Sequence, residues 1–298
     1  METVACNLCG SKSQKILYKK PDIWTHITDF EFPVVKCAGC GLVFVNPRPD
    51  IYEMSNYYKE EYHSNRDTSE HRKRYEIQTQ FLPALQNESV LDIGCAQGDF
   101  LLYLKEKYQN IKMFGCDLFS DSAKSKDINF KNTTLQEADY KESQFELVTA
   151  WAVFEHLHDP DTYFKKVSEI LKPGGLFVFL VTNANSFYGR VAHKEDVPRH
   201  LYHFTKKTIK KYGMKYNLKT NKIKFDDRLY DGRGVGSFRH LFENISGVTW
   251  KTRKSLQYSF VQKIARKIGA FLDKIVFRFH WESKMGISGI MIVEMKKK

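Results

Sequence analysis

Short apolar runs alternate with amphipathic stretches through the middle of this chain. Residues 89–93, 112–116, 145–151 and 175–181 are apolar runs of strand length. Between them, 98–108, 120–126 and 160–171 carry helical patterns. Strands separated by helices in this way pair in parallel, with both faces of the sheet covered. Pro173 cannot continue the third helix, and Gly174-Gly175 permits a tight reversal into the next strand. Further on, 205–212 reads as a helix with Gly213 as its C-cap, and 219–225 reads as a strand. The last strand, 286–294, returns to the sheet after an excursion over 228–284. In that excursion Phe260, Ile264, Ile268, Phe271, Leu272, Ile275 and Phe279 suit one helical face. No internal repeat or low-complexity tract interrupts the pattern.

The N-terminal part is different. Residues 1–49 end in the apolar strand Leu42–Val45 and the breaker Asn46-Pro47-Arg48-Pro49. Residues 50–88 form an aromatic-rich connector, with Tyr52, Tyr57, Tyr58 and Tyr62, and then a polar helix over 66–86. The cysteines are arranged in pairs. Cys6-x-x-Cys9 and Cys37-x-x-Cys40 are each followed by glycine (Gly10, Gly41). Zinc takes four soft ligands at the corners of a tetrahedron, and each pair supplies two. Such a site has no open position, so a structural Zn²⁺ in a small zinc ribbon is expected. Redox pairs or disulfides are the alternative use of the same spacing. Cys95 and Cys116 read as small core residues beside the turn discussed next.

Chain length and charge narrow the partners. With 298 residues and 42% hydrophobic content, the chain can bury a substantial core. A net charge of +12 suggests an anionic partner without choosing among nucleic acid, acidic membrane and acidic substrate. The first residues are polar and carry cysteines, unlike a signal peptide, and no apolar run is long enough to span a bilayer. A cytoplasmic protein with reduced thiols is expected. Between Lys251 and Arg278 there are eight basic side chains and one acid, Asp273. The basic amphipathic segment 251–279 could lie on an anionic membrane at the inner face, or pack on the core with a solvated basic side.

The chemistry starts at Val90-Leu91-Asp92-Ile93-Gly94-Cys95-Ala96-Gln97-Gly98. An apolar strand runs into an acid and a glycine-containing turn, and a helix follows. That arrangement brings a nucleoside-bearing ligand close to the end of a parallel strand. A second short strand ends in Asp117, placed to hold a ribose diol. A dinucleotide fingerprint would need glycines where Ala96 and Asp99 stand, and Asp99 would face the diphosphate. No Gly-Lys-Ser/Thr follows, so a P-loop is absent. The segment 231–237 also lacks that frame and reads as a flexible turn.

These residues resemble the first motif of class I S-adenosylmethionine-dependent methyltransferases, acid-x-Gly-x-Gly-x-Gly, with Ala96 at the middle glycine. Glu155-His156-Leu157 and Pro173-Gly174-Gly175 follow in the order and spacing of that family. The resemblance implies an α/β fold, a Rossmann-like sheet that is parallel with an antiparallel last strand. Residues 89–227 would be the S-adenosylmethionine-binding core, 228–284 a basic helical insertion and 285–298 the final strand. It also implies that Asp92 orders the turn and the methionine amino group, and that Gly94 and Gly98 let the backbone meet the cofactor. Cys95, Ala96 and Leu118 would line its path, and Asp117 would bind both ribose hydroxyls. Asp139 would accept from the adenine amino group, and Trp151 would flank the methionine moiety.

Methyl transfer to a hydroxyl or carbon acid needs a proton acceptor. His200 is the first candidate and His203 the second, with Tyr202 between them; His156 reads as structural. No carboxylate cluster suggests catalytic magnesium, so metal-independent chemistry is expected. The cysteine knuckles, the Asn-Pro-Arg-Pro exit and Glu-His-Leu together resemble bacterial methyltransferases with a zinc-binding N-terminus. Sugar C-methyltransferases and enzymes of surface-glycan and secondary-metabolite pathways are among these. The acceptor implied is an oxygen or carbon of a small molecule or glycan, nucleotide- or lipid-linked sugars included. An RNA methyltransferase and a non-catalytic S-adenosylmethionine-binding protein are the alternatives. The first lacks the Asn/Asp-Pro-Pro-Phe/Tyr segment that clamps a base amine, which makes nucleic acid the weaker partner.

Overall fold

The computed structural model describes residues 1–22, 25, 27–58, 68–190, 196–226, 228–229 and 237–298. Tyr62 and residues 231–236 of the expected flexible turn lie outside these. The chain opens with three strands, β1 (Gln14–Pro21), β2 (Glu31–Cys37) and β3 (Val43–Val45). A short 3-10 helix, Glu53–Tyr57, follows. Then come α1 (Thr68–Thr79), β4 (Ser89–Ile93), α2 (Asp99–Lys107), β5 (Lys112–Cys116) and β6 (Ile128–Lys131). Next are β7 (Phe145–Trp151), α3 (Pro160–Ile170), β8 (Leu171–Thr182) and α4 (Phe187–Arg190). After them come β9 (Tyr202–His203), α5 (Lys206–Lys215) and β10 (Leu218–Phe225). Helices α6 (Ser237–Ile245), α7 (Trp250–Ser255), α8 (Phe260–Arg278) and α9 (Trp281–Met285) precede the final strand, β11 (Ile290–Lys297).

Among the described residues the large sheet has the order β10-β11-β8-β7-β4-β5-β6. Its strands β4 to β8 run parallel, and β11 lies antiparallel between β8 and β10. This is the Rossmann-like sheet with a reversed last strand that the motifs imply. The reason is visible in the strands themselves. Val90, Leu91 and Ile93 are all buried, as are Phe177 through Val181, so neither strand has a face to give to water. On one side the core is aromatic: Phe177 stacks on Phe179 at 4.4 Å, and Phe164 stacks on Tyr212 at 4.8 Å. Between Phe145↔Leu171 and Leu147↔Leu176 the β7–β8 register slips, and the Pro173-Gly174-Gly175 reversal bulges out there. No helix among the described residues is long and apolar enough to cross a membrane.

Several local expectations are corrected. Residues 120–126 are a loop: the Asn132 amide donates to the carbonyls of Asp117, Leu118 and Ser120 at 3.3, 3.4 and 2.6 Å, and so holds an open turn. The helix expected at 205–212 continues to Lys215. Thr205 is its N-cap in a reciprocal capping box with Thr208. Gly213 therefore sits inside α5; it is small because a Cβ there would lie 2.4 Å from the Leu218 carbonyl oxygen. The αL position falls instead on Asn217, at φ 57°. The last strand begins at Ile290, because Gly286 (φ 68°) terminates α9 first. The short edge strand β6 had no clear signal.

The N-terminal ribbon does not stop at residue 49. Its sheet has the order β1-β2-β3-β9, so Tyr202–His203 supplies the fourth strand. Arg48 fastens the two parts further. Its guanidinium donates to the Tyr202 hydroxyl at 2.9 Å, to the His158 carbonyl at 3.1 Å and to Glu2 at 2.7 Å.

Candidate active site

A cleft of about 600 Å³ opens at the carboxyl ends of β4, β5 and β7. Parallel sheets bind ligands at this edge because the strand order reverses there and the connecting helices diverge. Asp92, Gly94, Cys95, Ala96, Asp117, Leu118 and Trp151 line it, as expected of them by position. Thr149 donates to Asp92 Oδ1 at 2.7 Å. Burial, reinforced by the charge of Asp117, pushes the Asp92 carboxyl up to about 7, against the Thr149 hydrogen bond. Asp117 accepts from the backbone N–H groups of Ala96 and Phe119, both at 2.8 Å. Each of its oxygens keeps a second lone pair for a ligand hydroxyl. Ala96 has φ 49°, a conformation that favours glycine. Its N–H bond to Asp117 holds it there. The carboxylates, the polar strand ends and the volume fit a cationic nucleoside, whereas a diphosphate would meet two acids.

Two expected cofactor contacts lie elsewhere. Gly98 is buried as the N-cap of α2, off the cleft wall; a Cβ there would lie 2.4 Å from Ile128 Cδ1. Its glycine serves the left-handed backbone (φ 85°) that starts α2, where a side chain would also crowd Ile128 of β6. Asp139 is exposed and pairs with Lys131, while Thr133 to Gln136 face the cleft in the adjoining loop. Trp151, at the end of β7, presents a buried Nε1 with no hydrogen-bond partner among the described residues, and its ring packs edge-on against Phe100 at 5.3 Å.

The three expected bases are displaced from the cleft wall. Tyr202 is buried in the ribbon sheet and its hydroxyl, held by Arg48 and bonded to the His158 carbonyl at 3.2 Å, is pushed up to about 12 by burial. His203, its neighbour in β9, is fully enclosed, and burial lowers it to about 3, so it stays neutral. His200 is also buried, edge-on at 4.6 Å against the His156 ring. His156, read from sequence as structural, is the histidine of this group that faces the cleft. Its Nδ1 lies 3.1 Å from the Arg199 carbonyl and 3.1 Å from the Tyr58 hydroxyl. A carbonyl only accepts, so that bond puts the proton on Nδ1 and leaves Nε2 as the basic nitrogen. The missed signal was in the motif itself, since His156 comes only three residues after the strand-end residues 151–153.

Among the described residues, two donor sets could hold a metal. Cys6, Cys9, Cys37 and Cys40 place their sulfurs within 4.8 Å of one another, with Cys6–Cys40 at 3.4 Å and Cys9–Cys37 at 3.6 Å. Tetrahedral Zn–S bonds of about 2.3 Å require sulfur–sulfur edges of roughly 3.8 Å, so the set needs only a slight expansion. Burial opposes ionisation at Cys37, but the Cys40 backbone N–H and the neighbouring thiols outweigh it and lower Cys37 to about 6. The second set is Glu155, His156 and His200, one carboxylate and two imidazoles within the same 4.8 Å limit.

The comparisons with known proteins agree with this geometry. A family model described as a methyltransferase domain matches residues 62–222. A ubiquinone biosynthesis O-methyltransferase from Bradyrhizobium sp. (strain ORS 278) is 31% identical over 124 residues, 38% of this chain and 47% of that protein. A pavine N-methyltransferase from Thalictrum flavum subsp. glaucum is 29% identical over 30% of this chain and 28% of its own length. The chain thus spans about half, or less, of the curated relatives it matches. Among solved structures, the complex of the Haloferax volcanii Trm112 methyltransferase activator with a methyltransferase includes a similar chain. It matches at a TM-score of 0.50 and 15% identity, covering 78% of this chain and 99% of that one, which is a likeness of fold.

Proposed function

The chain belongs to the methyltransferase domain family, and on that footing we propose that it transfers a methyl group from S-adenosylmethionine to an oxygen or carbon of a small molecule or glycan. The observation that carries this reading is the single cleft running from Asp92 and Asp117 to the His156 ring. When bound, S-adenosylmethionine supplies a methyl carbon on a positively charged sulfur, open to in-line displacement. Asp117 takes the ribose hydroxyls and Asp92 the amino group. Trp151 and Val153 set the path, and His156 Nε2 accepts the proton that an acceptor hydroxyl or carbon acid gives up. The similarity to ubiquinone biosynthesis O-methyltransferases favours oxygen. The four cysteines would hold a structural Zn²⁺ as thiolates and so fasten the ribbon beside the core, where Ile51 and Tyr58, just beyond residue 49, form part of the cleft.

The test is transfer of labelled methyl into cell extract, fractionated into small molecules, nucleotide sugars, lipids, polysaccharide and RNA. Label in a small-molecule or glycan fraction supports the proposal; label confined to RNA, or none, overturns it. His156→Ala should lower kcat about 100-fold or more while leaving donor affinity within about twofold. An equal loss on removal of divalent cations would assign His156 to the Glu155–His200 cluster in place of the base role.

The raised Asp92 carboxyl makes a pH prediction. The ligand ammonium pairs with the ionised carboxylate, yet the free protein holds the proton below about pH 7. Donor affinity should therefore rise up to about tenfold per pH unit between about pH 5 and 7, then level off. Calorimetric titration across that range reads it, with Asp92→Asn giving a flat profile. A flat profile in the unmodified protein would remove Asp92 from the amino group.

A further inference from the structure

Helix α8 is amphipathic with its faces reversed. The side turned to α6 carries Gln262, Arg266, Gly269 and Asp273. Gln262 donates to the Ser246 carbonyl at 3.4 Å, and Arg266 lies 3.1 Å from the buried Glu243. At Gly269 a Cβ would lie 2.5 Å from Arg239 Cα, so the two helices touch there by backbone. Asp273 accepts the N–H groups of Phe238 and Arg239 at 2.9 and 3.0 Å, at the N-terminus of α6. The seam is polar and small. Four large apolar side chains point the other way: Phe260, Ile264, Ile268 and Phe271 recur at helical spacing and are 43% to 78% exposed, while Leu272, Ile275 and Val276 are half-buried. Phe279 extends the stripe and stacks on the half-exposed Trp281 at 5.6 Å. A helix resting on a protein core in water has the opposite arrangement.

The charge on that outer side has one sign. Lys263, Lys267, Lys274 and Arg278 form a second exposed row beside the apolar stripe. Among the described residues no carboxylate pairs with any of the four. The acids of the segment 237–285 are Glu243, Asp273 and Glu282, and all three are buried. Glu243 gathers Arg253 and Arg266 at 2.8 and 3.1 Å, so the inner cations have a carboxylate partner and the outer ones do not. A shallow recess of about 430 Å³ between α6 and α8 mixes both characters, with Arg239, Lys263 and Lys267 beside Phe260 and Ile264.

We propose that this face docks on an anionic lipid bilayer. The helix lies in the plane of the surface, with Phe260, Ile264, Ile268, Phe271 and Phe279 among the acyl chains and the basic row at the phosphates. Nucleic acid would satisfy the cations and leave the apolar stripe in water. A second copy packed symmetrically would bring like-charged rows together. The bilayer complements both. The proposal stands on α8 alone and does not depend on the methyl acceptor.

Co-sedimentation of the full-length, zinc-loaded protein with vesicles tests it. Phosphatidylcholine vesicles with about 30% phosphatidylglycerol should bind the protein at least tenfold more tightly than phosphatidylcholine alone, since each basic residue at an anionic surface is worth about fivefold. The double variant Lys263→Glu/Lys267→Glu should weaken binding at least about 20-fold, as should Phe271→Asp, while the melting temperature stays within a few degrees. These side chains are exposed, so folding is not at stake, and S-adenosylmethionine binding by the same variants reports it independently. Three results would each overturn the proposal: no binding to anionic vesicles, equal binding to neutral ones, or lipid-free dimers that Phe271→Asp dissociates.

Discussion

Replacing Asp117 by alanine should weaken S-adenosylmethionine binding by about 100- to 10,000-fold, because two charge-assisted hydrogen bonds at about 1.5–3 kcal/mol each are lost. The carboxylate does two things at once. Its free lone pairs face the cleft, where a ribose diol fits, and its occupied ones hold the N–H groups of Ala96 and Phe119. Ala96 has a left-handed backbone at φ 49° that costs an alanine about 1–2 kcal/mol, so losing that anchor frees the turn to relax away from the ligand. Asp117→Asn keeps one acceptor oxygen and should retain part of the affinity. Calorimetry with the donor and with its demethylated product measures both variants, on protein shown by melting to be folded. A dissociation constant for Asp117→Ala within threefold of the unmodified protein would end the case that this acid holds the ribose.

Disrupting the four-cysteine site should have the larger effect on the folded state. Cys37→Ser should abolish a stoichiometry of about one zinc per chain and lower the melting temperature by at least about 10 °C. Metal binding by comparable sites contributes about 10–16 kcal/mol in isolated fingers, similar to the whole stability of an ordinary domain. Here the damage would spread. Phe32, Val34 and Phe44 of the ribbon belong to the same buried cluster as Phe154, Phe164 and Tyr212 of the core. Asn7, in the first knuckle, donates to Asp159 at 2.8 Å and accepts from Tyr212 at 2.8 Å, joining α3 and α5. Ile51 and Tyr58 should leave the cleft wall when the ribbon loosens, so turnover should fall with stability. Metal analysis and limited proteolysis within residues 1–49 read the outcome. Unmodified protein that holds no zinc, or that shows cysteine disulfides by mass, would refute the assignment.

The sequence alone was enough for the inner strands of the sheet, the acid-glycine turn and the cysteine knuckles, though not for the edge strand β6. Those features are written in local terms. An apolar strand ending in Asp92, a second ending in Asp117 and paired Cys-x-x-Cys spacings each need only a few neighbouring residues to be legible. The partner strand of the ribbon, Tyr202–His203, was not legible, because β3 and β9 are far apart in the chain and pair only when the whole molecule closes. The same distance hid which histidine faces the cleft. His156, His200 and His203 are chemically alike in sequence; burial alone separates the one on the cleft wall from the two inside.

Glycines divide in the same way. Gly94 could be placed at the cleft from its motif, but the work of Gly98 and Gly213 depends on Ile128 and Leu218, which approach only in the fold. For α8, periodicity showed an apolar stripe and could not say which way it pointed. Tertiary packing turned Gly269 inward and Phe271 outward, because the buried Glu243 and the N-terminus of α6 demand polar partners from the side of the helix that meets them.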